Sequence, residues 1–125
     1  DPEMSRGLGD VYKRQHSSCE VGMDIEQYGT RVRKVASRFI RSDEEPAMME
    51  GDEVYALLLH WSAKEALFKL MGVEEVDFIR HLRIFPFSLS EEGEFEACEY
   101  RTGRQERYRV RYVTHPDFVL TWIIK

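Results

Sequence analysis

The sequence predicts an α+β fold in which one strand comes first, helices follow, and an antiparallel strand meander completes the domain. Residues 21–26 alternate apolar and acidic side chains, which is typical of a strand. Strong helix formers fill residues 53–71 between a capping aspartate and a glycine. Four extended segments separated by turn residues follow residue 80. The 125 residues, 42% of them hydrophobic, suffice for one core, so one domain is expected over residues 16–125.

The first strand carries two carboxylates. Side chains two positions apart share a face of a strand, so Asp24 and Glu26 should point to one side. Met23 and Ile25 should then point into the core. Adjacent carboxylates raise each other's pKa unless a cation lies between them, and hard oxygen ligands of this kind suit Mg²⁺. Taken alone, the pattern is better explained by an edge strand with a solvated acidic face, because two acidic residues at this spacing are common.

A basic stripe follows the strand. From Thr30 a helical pattern places apolar residues on one face. The opposite face carries four basic residues, Arg31, Lys34, Arg38 and Arg41. In a chain of net charge −5 this stripe is suited to steer an acidic partner, and a solvated helix face is an equally good explanation.

Residues 42–46 are typical of a capping box, with Pro46 in the first turn of another short helix. Glu44 lies in this box, where its charge would favour the helix dipole. The segment therefore predicts another short helix that is capped at residue 42 and has Pro46 in its first turn.

The helix predicted over residues 53–71 places charge on an apolar face. Asp52 is the expected N-cap and Gly72 the residue that ends the helix. On a 3.6-residue period, Glu65 falls on the same face as Trp61 and should be buried. A buried carboxylate requires a cation, a metal or a strong donor. Lys69, one turn further on, would supply an ordinary ion pair, and that simple explanation stays open.

The C-terminal part predicts strands over residues 82–87, 94–100, 106–113 and 118–124, with turns at 92–93, 102–103 and 115–117. The third strand alternates arginines at 107, 109 and 111 with apolar and aromatic residues. Such a ribbon is found in nucleic-acid proteins, but the pI of about 5.4 argues against that class. The arginines are therefore expected on the solvated side of the sheet, and no nucleic acid is expected as a partner.

Two cysteines are too few for a disulfide framework, and no Cys/His spacing indicates zinc. No apolar run reaches membrane-spanning length, so no membrane is expected as a partner. A reducing cytoplasm is the expected location.

Three spaced motifs together are more specific than any one of them. The motifs are Gly22-Met23-Asp24-Ile25-Glu26, then Arg38-Phe39 leading to Glu44, then Trp61-Ser62-Ala63-Lys64-Glu65-Ala66 with Lys69 and Gly72. Their order and spacing resemble the signature of the 4′-phosphopantetheinyl transferase superfamily. The Asp-Ile-Glu form and the tryptophan look more like the larger surfactin-synthetase type than the small holo-acyl-carrier-protein synthase type.

The resemblance implies an enzyme that moves the 4′-phosphopantetheine arm of coenzyme A onto a serine of an acyl or peptidyl carrier protein. It implies that Asp24, Glu26 and Glu65 hold Mg²⁺, and that Lys64 and Lys69 bind the coenzyme A phosphates. Glu65 and Lys69 would be the catalytic residues, with Glu65 as a base for the serine proton. The basic stripe would dock the carrier. A bacterial, cytoplasmic enzyme of a pathway such as fatty acid biosynthesis is the natural setting.

The larger members of the superfamily consist of two similar halves with the active site between them, and this chain resembles the second half from about residue 21 onward. Residues 1–15 match nothing in the family and are expected to be a non-native leader. The resemblance thus implies a missing N-terminal half or a homo-oligomer. A noncatalytic carrier-binding domain and a purely structural domain of the same fold are the alternatives.

Overall fold

An antiparallel sheet and a long helix make up most of the computed structural model, which describes residues 20–46 and 52–125. The described elements in chain order are β1 (Val21–Gln27), α1 (Val32–Val35), a 3₁₀ segment (Ala36–Arg38), α2 (Glu53–Met71), β2 (Leu82–Ile84), β3 (Glu92–Glu99), β4 (Arg107–His115) and β5 (Phe118–Ile124). The five strands lie in the order β1-β5-β4-β3-β2, and every neighbouring pair is antiparallel. The α+β prediction is confirmed.

Helix α2 begins and ends as predicted. The Asp52 carboxylate accepts a hydrogen bond from the Val54 amide at 2.8 Å, which caps the first turn. Gly72 ends the helix with a φ of +62°, a conformation that strongly favours glycine. The helix packs against β1 and β5 and is buried along most of its length. Within the described ranges, no helix is long and apolar enough to cross a membrane.

Several predicted boundaries were wrong. The helix expected from Thr30 is only the four-residue α1 followed by the 3₁₀ segment. The turn expected at Glu92 and Gly93 is instead the start of β3, where these residues pair with Val113 and Tyr112. The leader expected over residues 1–15 lies outside the described residues. The short helix expected from residue 42 is absent over residues 42–45, which contain a turn, and its continuation past Pro46 lies outside the described residues.

The face assignment of β1 was also wrong. Asp24 is fully buried and Ile25 is 37% exposed, so the acidic face of the strand packs against α2. The alternation was read correctly, but the carboxylates lie on the inner face because the helix supplies polar partners there. Met23 and Ile25 lie on the outer face, opposite Trp122 and Leu120 of β5.

The arginines of β4 are exposed, as predicted. They form ion pairs with glutamates of the neighbouring strand β3, namely Arg107 with Glu96 and Arg109 and Arg111 with Glu94. Exposed pairs of this kind contribute little to stability. This face of the sheet is therefore balanced in charge.

Candidate active site

Gly22 allows β1 to approach α2 closely. A Cβ atom at this position would lie 2.2 Å from the backbone oxygen of Ala66, a distance that no real side chain tolerates. Only glycine permits this contact without moving the strand or the helix. The glycine therefore sets the spacing at which the carboxylates of β1 meet the polar residues of α2.

Asp24 meets Lys69 across this contact. The Lys69 ammonium donates to Asp24 Oδ1 at 3.0 Å and to the Met23 carbonyl at 2.9 Å. The Ser62 hydroxyl donates to the Asp24 carbonyl at 3.2 Å and lies 2.8 Å from the Thr121 hydroxyl of β5. Asp24 Oδ2 is buried and has no hydrogen-bond partner in the described part of the chain. This oxygen is one that a cation or a donor from a ligand would satisfy.

Glu26 is held by Trp61. The indole Nε1 donates to Glu26 Oε1 at 2.5 Å, and the Trp61 ring contacts the rings of Phe39 and Phe78. The ring centroids are 5.2 Å and 5.4 Å apart. Trp61 was predicted as part of the apolar face of the helix and of the family motif, and no sequence signal indicated its hydrogen bond to Glu26.

Asp24 and Glu26 are costly to ionise. Burial raises the pKa of Asp24 to about 6, although Lys69 and Ser62 oppose this rise. Burial and the charge of Asp24 together raise the pKa of Glu26 to about 7, against the hydrogen bond from Trp61. The charge of Glu65, itself only 5% exposed on α2, adds to both rises. We call Asp24, Glu26, Glu65 and Lys69 the acidic cluster.

The donor chemistry of the acidic cluster fits a hard cation. Carboxylate oxygens are the ligands that Mg²⁺ prefers, and the buried Asp24 Oδ2 lacks a partner. In residues 20–46 and 52–125, however, no three His, Cys, Asp or Glu side chains stand close enough together to hold a metal ion as they are. The residues therefore match such an ion in chemistry, and Lys69 supplies the positive charge beside Asp24.

Lys64 points away from the acidic cluster. Its side chain is fully buried, and its ammonium donates to Glu44 Oε1 at 2.8 Å. It also donates to the carbonyls of Phe39 at 2.5 Å and Phe78 at 3.1 Å. An ammonium has three protons, and all three have acceptors here. The structure thus does not bring Lys64 to the carboxylates with which the sequence grouped it.

Glu44 has a role that the sequence did not indicate. Besides Lys64, it accepts hydrogen bonds from the Arg41 amide at 2.9 Å and from the Ile84 amide of β2 at 2.6 Å. Its carboxylate is buried between a loop, the helix and the sheet. The sequence suggested no partner, because Lys64 lies 20 positions away along the chain.

A pocket of about 720 Å³ opens beside Glu26 and Trp61. Its wall is mostly apolar, with Val35 and Leu58 among the lining residues, and Arg31 and Arg38 of the basic stripe also line it. Lys34 is exposed on the same segment. The fourth basic residue, Arg41, instead pairs with Asp43 at 2.8 Å and donates to the carbonyls of Ile79 and Arg80.

A buried acidic cluster between the first strand and a long central helix, beside an apolar pocket with a basic margin, is consistent with a transferase of phosphorus-containing groups. A family model of the 4′-phosphopantetheinyl transferase superfamily matches residues 20–123. The chain belongs to this superfamily. A search of curated proteins finds no match.

Proposed function

We propose that the chain transfers the 4′-phosphopantetheine arm of coenzyme A to a serine of an acyl or peptidyl carrier protein in the cytoplasm, with Mg²⁺ as cofactor. The observation that supports this most directly is the acidic cluster, with the unsatisfied Asp24 Oδ2 and the raised pKa values of Asp24 and Glu26. Buried carboxylates with raised pKa values are characteristic of functional sites. Superfamily membership supplies the reaction class.

In this proposal Asp24, Glu26 and Glu65 would hold Mg²⁺, and the ion would supply positive charge to offset that of the coenzyme A pyrophosphate. Glu65 takes the proton of the carrier serine while the serine oxygen bonds to the coenzyme A phosphorus that carries the phosphopantetheine arm. The bond from that phosphorus to adenosine 3′,5′-bisphosphate breaks, and this product leaves. Lys69 holds Asp24 in place and lies close enough to the carboxylates to offset negative charge on a bound phosphate.

Carrier docking is proposed at the pocket beside Glu26. Acyl and peptidyl carrier proteins are acidic, so the exposed Arg31, Lys34 and Arg38 would attract them. Arg41 is largely engaged within the chain and is expected to contribute less. Changing Arg31 and Arg38 to Glu should weaken the binding of apo acyl carrier protein, as measured by calorimetry. Changing Arg109, an exposed residue of the sheet, to Glu should not weaken it. Equal weakening by both changes would contradict docking at this pocket.

A second half of the same fold, joined at about His16, or a second copy of the chain is proposed to complete the site. The outer face of β1 and β5 offers an apolar surface, with Ile25 37% and Ile124 63% exposed. Exposed apolar patches of this kind mark interaction surfaces. The alternative function is a noncatalytic carrier-binding domain, which the buried acidic cluster disfavours because binding alone does not require it.

Metal binding tests the proposed site in the chain itself. Isothermal titration calorimetry of the chain with Mg²⁺ alone should detect binding, and the Asp24→Asn variant should show none. The matched control is Glu99→Gln, which neutralises a buried carboxylate whose oxygens accept from Thr102 and Glu106. Equal Mg²⁺ affinity in the unaltered chain and in Asp24→Asn would contradict the proposed ligand set.

A further inference from the structure

Lys64 connects three separate segments of the chain. Its ammonium donates to the Phe39 carbonyl after the 3₁₀ segment, to the Phe78 carbonyl after α2, and to the Glu44 carboxylate between them in sequence. The Lys64 side chain has no exposure, and the Glu44 carboxylate accepts from β2 through the Ile84 amide. The attraction within a buried ion pair offsets the cost of desolvating both charges only when further hydrogen bonds satisfy them. Here every proton of the Lys64 ammonium has an acceptor.

The same two residues whose carbonyls bind Lys64 also pack against Trp61. The ring centroid of Phe39 lies 5.2 Å from that of Trp61, and the ring centroid of Phe78 lies 5.4 Å from it. Trp61 and Lys64 lie one turn apart on α2. The Lys64 ammonium therefore binds the backbone carbonyls of Phe39 and Phe78, and the rings of the same two residues contact the indole of Trp61. The indole N–H in turn donates to Glu26 at 2.5 Å.

We propose that Lys64 is a positioning residue for Glu26, acting through Phe39, Phe78 and Trp61. By fixing two carbonyls it keeps both rings against the indole, and the indole N–H then orients one carboxylate of the acidic cluster. Lys64 thus serves the site from behind the aromatic residues and does not touch a phosphate. The proposal depends on the proposed function only for the role given to Glu26.

The indole proton of Trp61 reports this arrangement directly. The chain has two tryptophans, and Trp122→Phe leaves one indole signal in a ¹H–¹⁵N spectrum of the metal-free protein. In that background Glu26→Gln should move the signal, because the acceptor loses its charge. Lys64→Met keeps length and apolar bulk but removes the ammonium, and should move the signal in the same direction and shift Trp61 fluorescence to the red.

Glu99→Gln is the control, because it removes a buried charge whose hydrogen bonds go to Thr102 and Glu106, and it should leave the indole signal in place. A folded Lys64→Met with an unchanged indole signal would overturn the proposal. If Lys64→Met does not fold, the double variant Lys64→Met with Glu44→Met removes both charges and decides by the same signal.

If neither variant folds, the unaltered chain decides. Nuclear Overhauser contacts from the Lys64 ε-methylene to protons of Phe39 and Phe78 support the arrangement, and their absence overturns it. None of these measurements uses coenzyme A, a carrier or a metal. Failure of the transfer reaction would therefore leave the result for Lys64 standing, and a negative result for Lys64 would leave the proposed function standing.

Discussion

Protonation of Asp24 is expected to stabilise the metal-free chain, because Asp24 binds a proton more readily in the folded state than in the unfolded state. Burial raises its pKa from 3.8 to about 6 despite the ion pair with Lys69. A raised carboxyl pKa means that the folded state binds more protons between these two values, so the contribution of Asp24 to the free energy of unfolding rises as the pH falls from about 6 towards 3.8. Glu26, with a pKa raised to about 7, acts in the same direction.

The size of the effect follows from the pKa of Asp24. Each pKa unit corresponds to about 1.4 kcal/mol, so the rise from 3.8 to about 6 corresponds to about 3 kcal/mol of folding free energy. This is the cost of keeping the fully buried Asp24 ionised above its folded pKa, after Lys69 has offset part of it. Asp24→Asn removes the charge and should recover up to about 3 kcal/mol at about pH 7.5.

The assay is urea unfolding in EDTA, followed by far-UV circular dichroism at about pH 7.5, 6 and 4.5. Asp24→Asn should be more stable than the unaltered chain by up to about 3 kcal/mol at the highest pH and by only about 1 kcal/mol at the lowest, where Asp24 is protonated in the folded state but still mostly ionised in the unfolded state. The control is Glu99→Gln, since hydrogen bonds from Thr102 and Glu106 outweigh burial and lower the Glu99 pKa, and this variant should gain nothing at high pH. An Asp24→Asn variant less stable than the unaltered chain at about pH 7.5 would refute the reasoning.

Three further changes test other parts of the molecule. Gly22→Ala should destabilise the fold by roughly 1–3 kcal/mol in urea, because its Cβ would meet the Ala66 carbonyl, whereas Gly103→Ala, which meets open space, should not; equal effects would argue against the close approach. Glu44→Ala should cost about 3–5 kcal/mol in the same assay, since it leaves the Lys64 ammonium buried without its counter-charge, and a cost under about 1 kcal/mol would contradict a buried pair. Glu65→Gln should abolish most transfer to a carrier in a complete enzyme, as read by intact mass, while circular dichroism stays unchanged; full activity would show that Glu65 is not required.

Local signals predicted the parts of the fold that depend on neighbouring residues. The ends of α2 followed from Asp52 and Gly72, because capping is decided within one turn of the helix. Strand β5 has the predicted bounds, since its run of apolar and β-branched residues is bordered by the turn at 116–117. The burial of Glu65 followed from its helical spacing with Trp61.

Long-range pairing was beyond the sequence. Alternation showed that Asp24 and Glu26 share a face of β1, but the burial of that face is decided by α2, about 40 residues later along the chain. Lys64 stands beside Glu65 in sequence, yet a turn of about 100° per residue carries it to the opposite environment, where Glu44 is its partner. Neighbouring positions in a motif therefore need not serve the same ligand.

Intact-mass spectrometry of an apo acyl carrier protein tests the central claim most directly. The carrier is incubated with coenzyme A, Mg²⁺ and either this chain or the chain joined at about His16 to the first half of a surfactin-synthetase-type enzyme, with EDTA and Glu65→Gln as controls. We predict a metal-dependent mass gain of one phosphopantetheine arm with the joined chain, and a gain with the chain alone only if its copies complete the site. A carrier that is bound but keeps its mass in both cases would contradict the transferase and favour the noncatalytic carrier-binding domain.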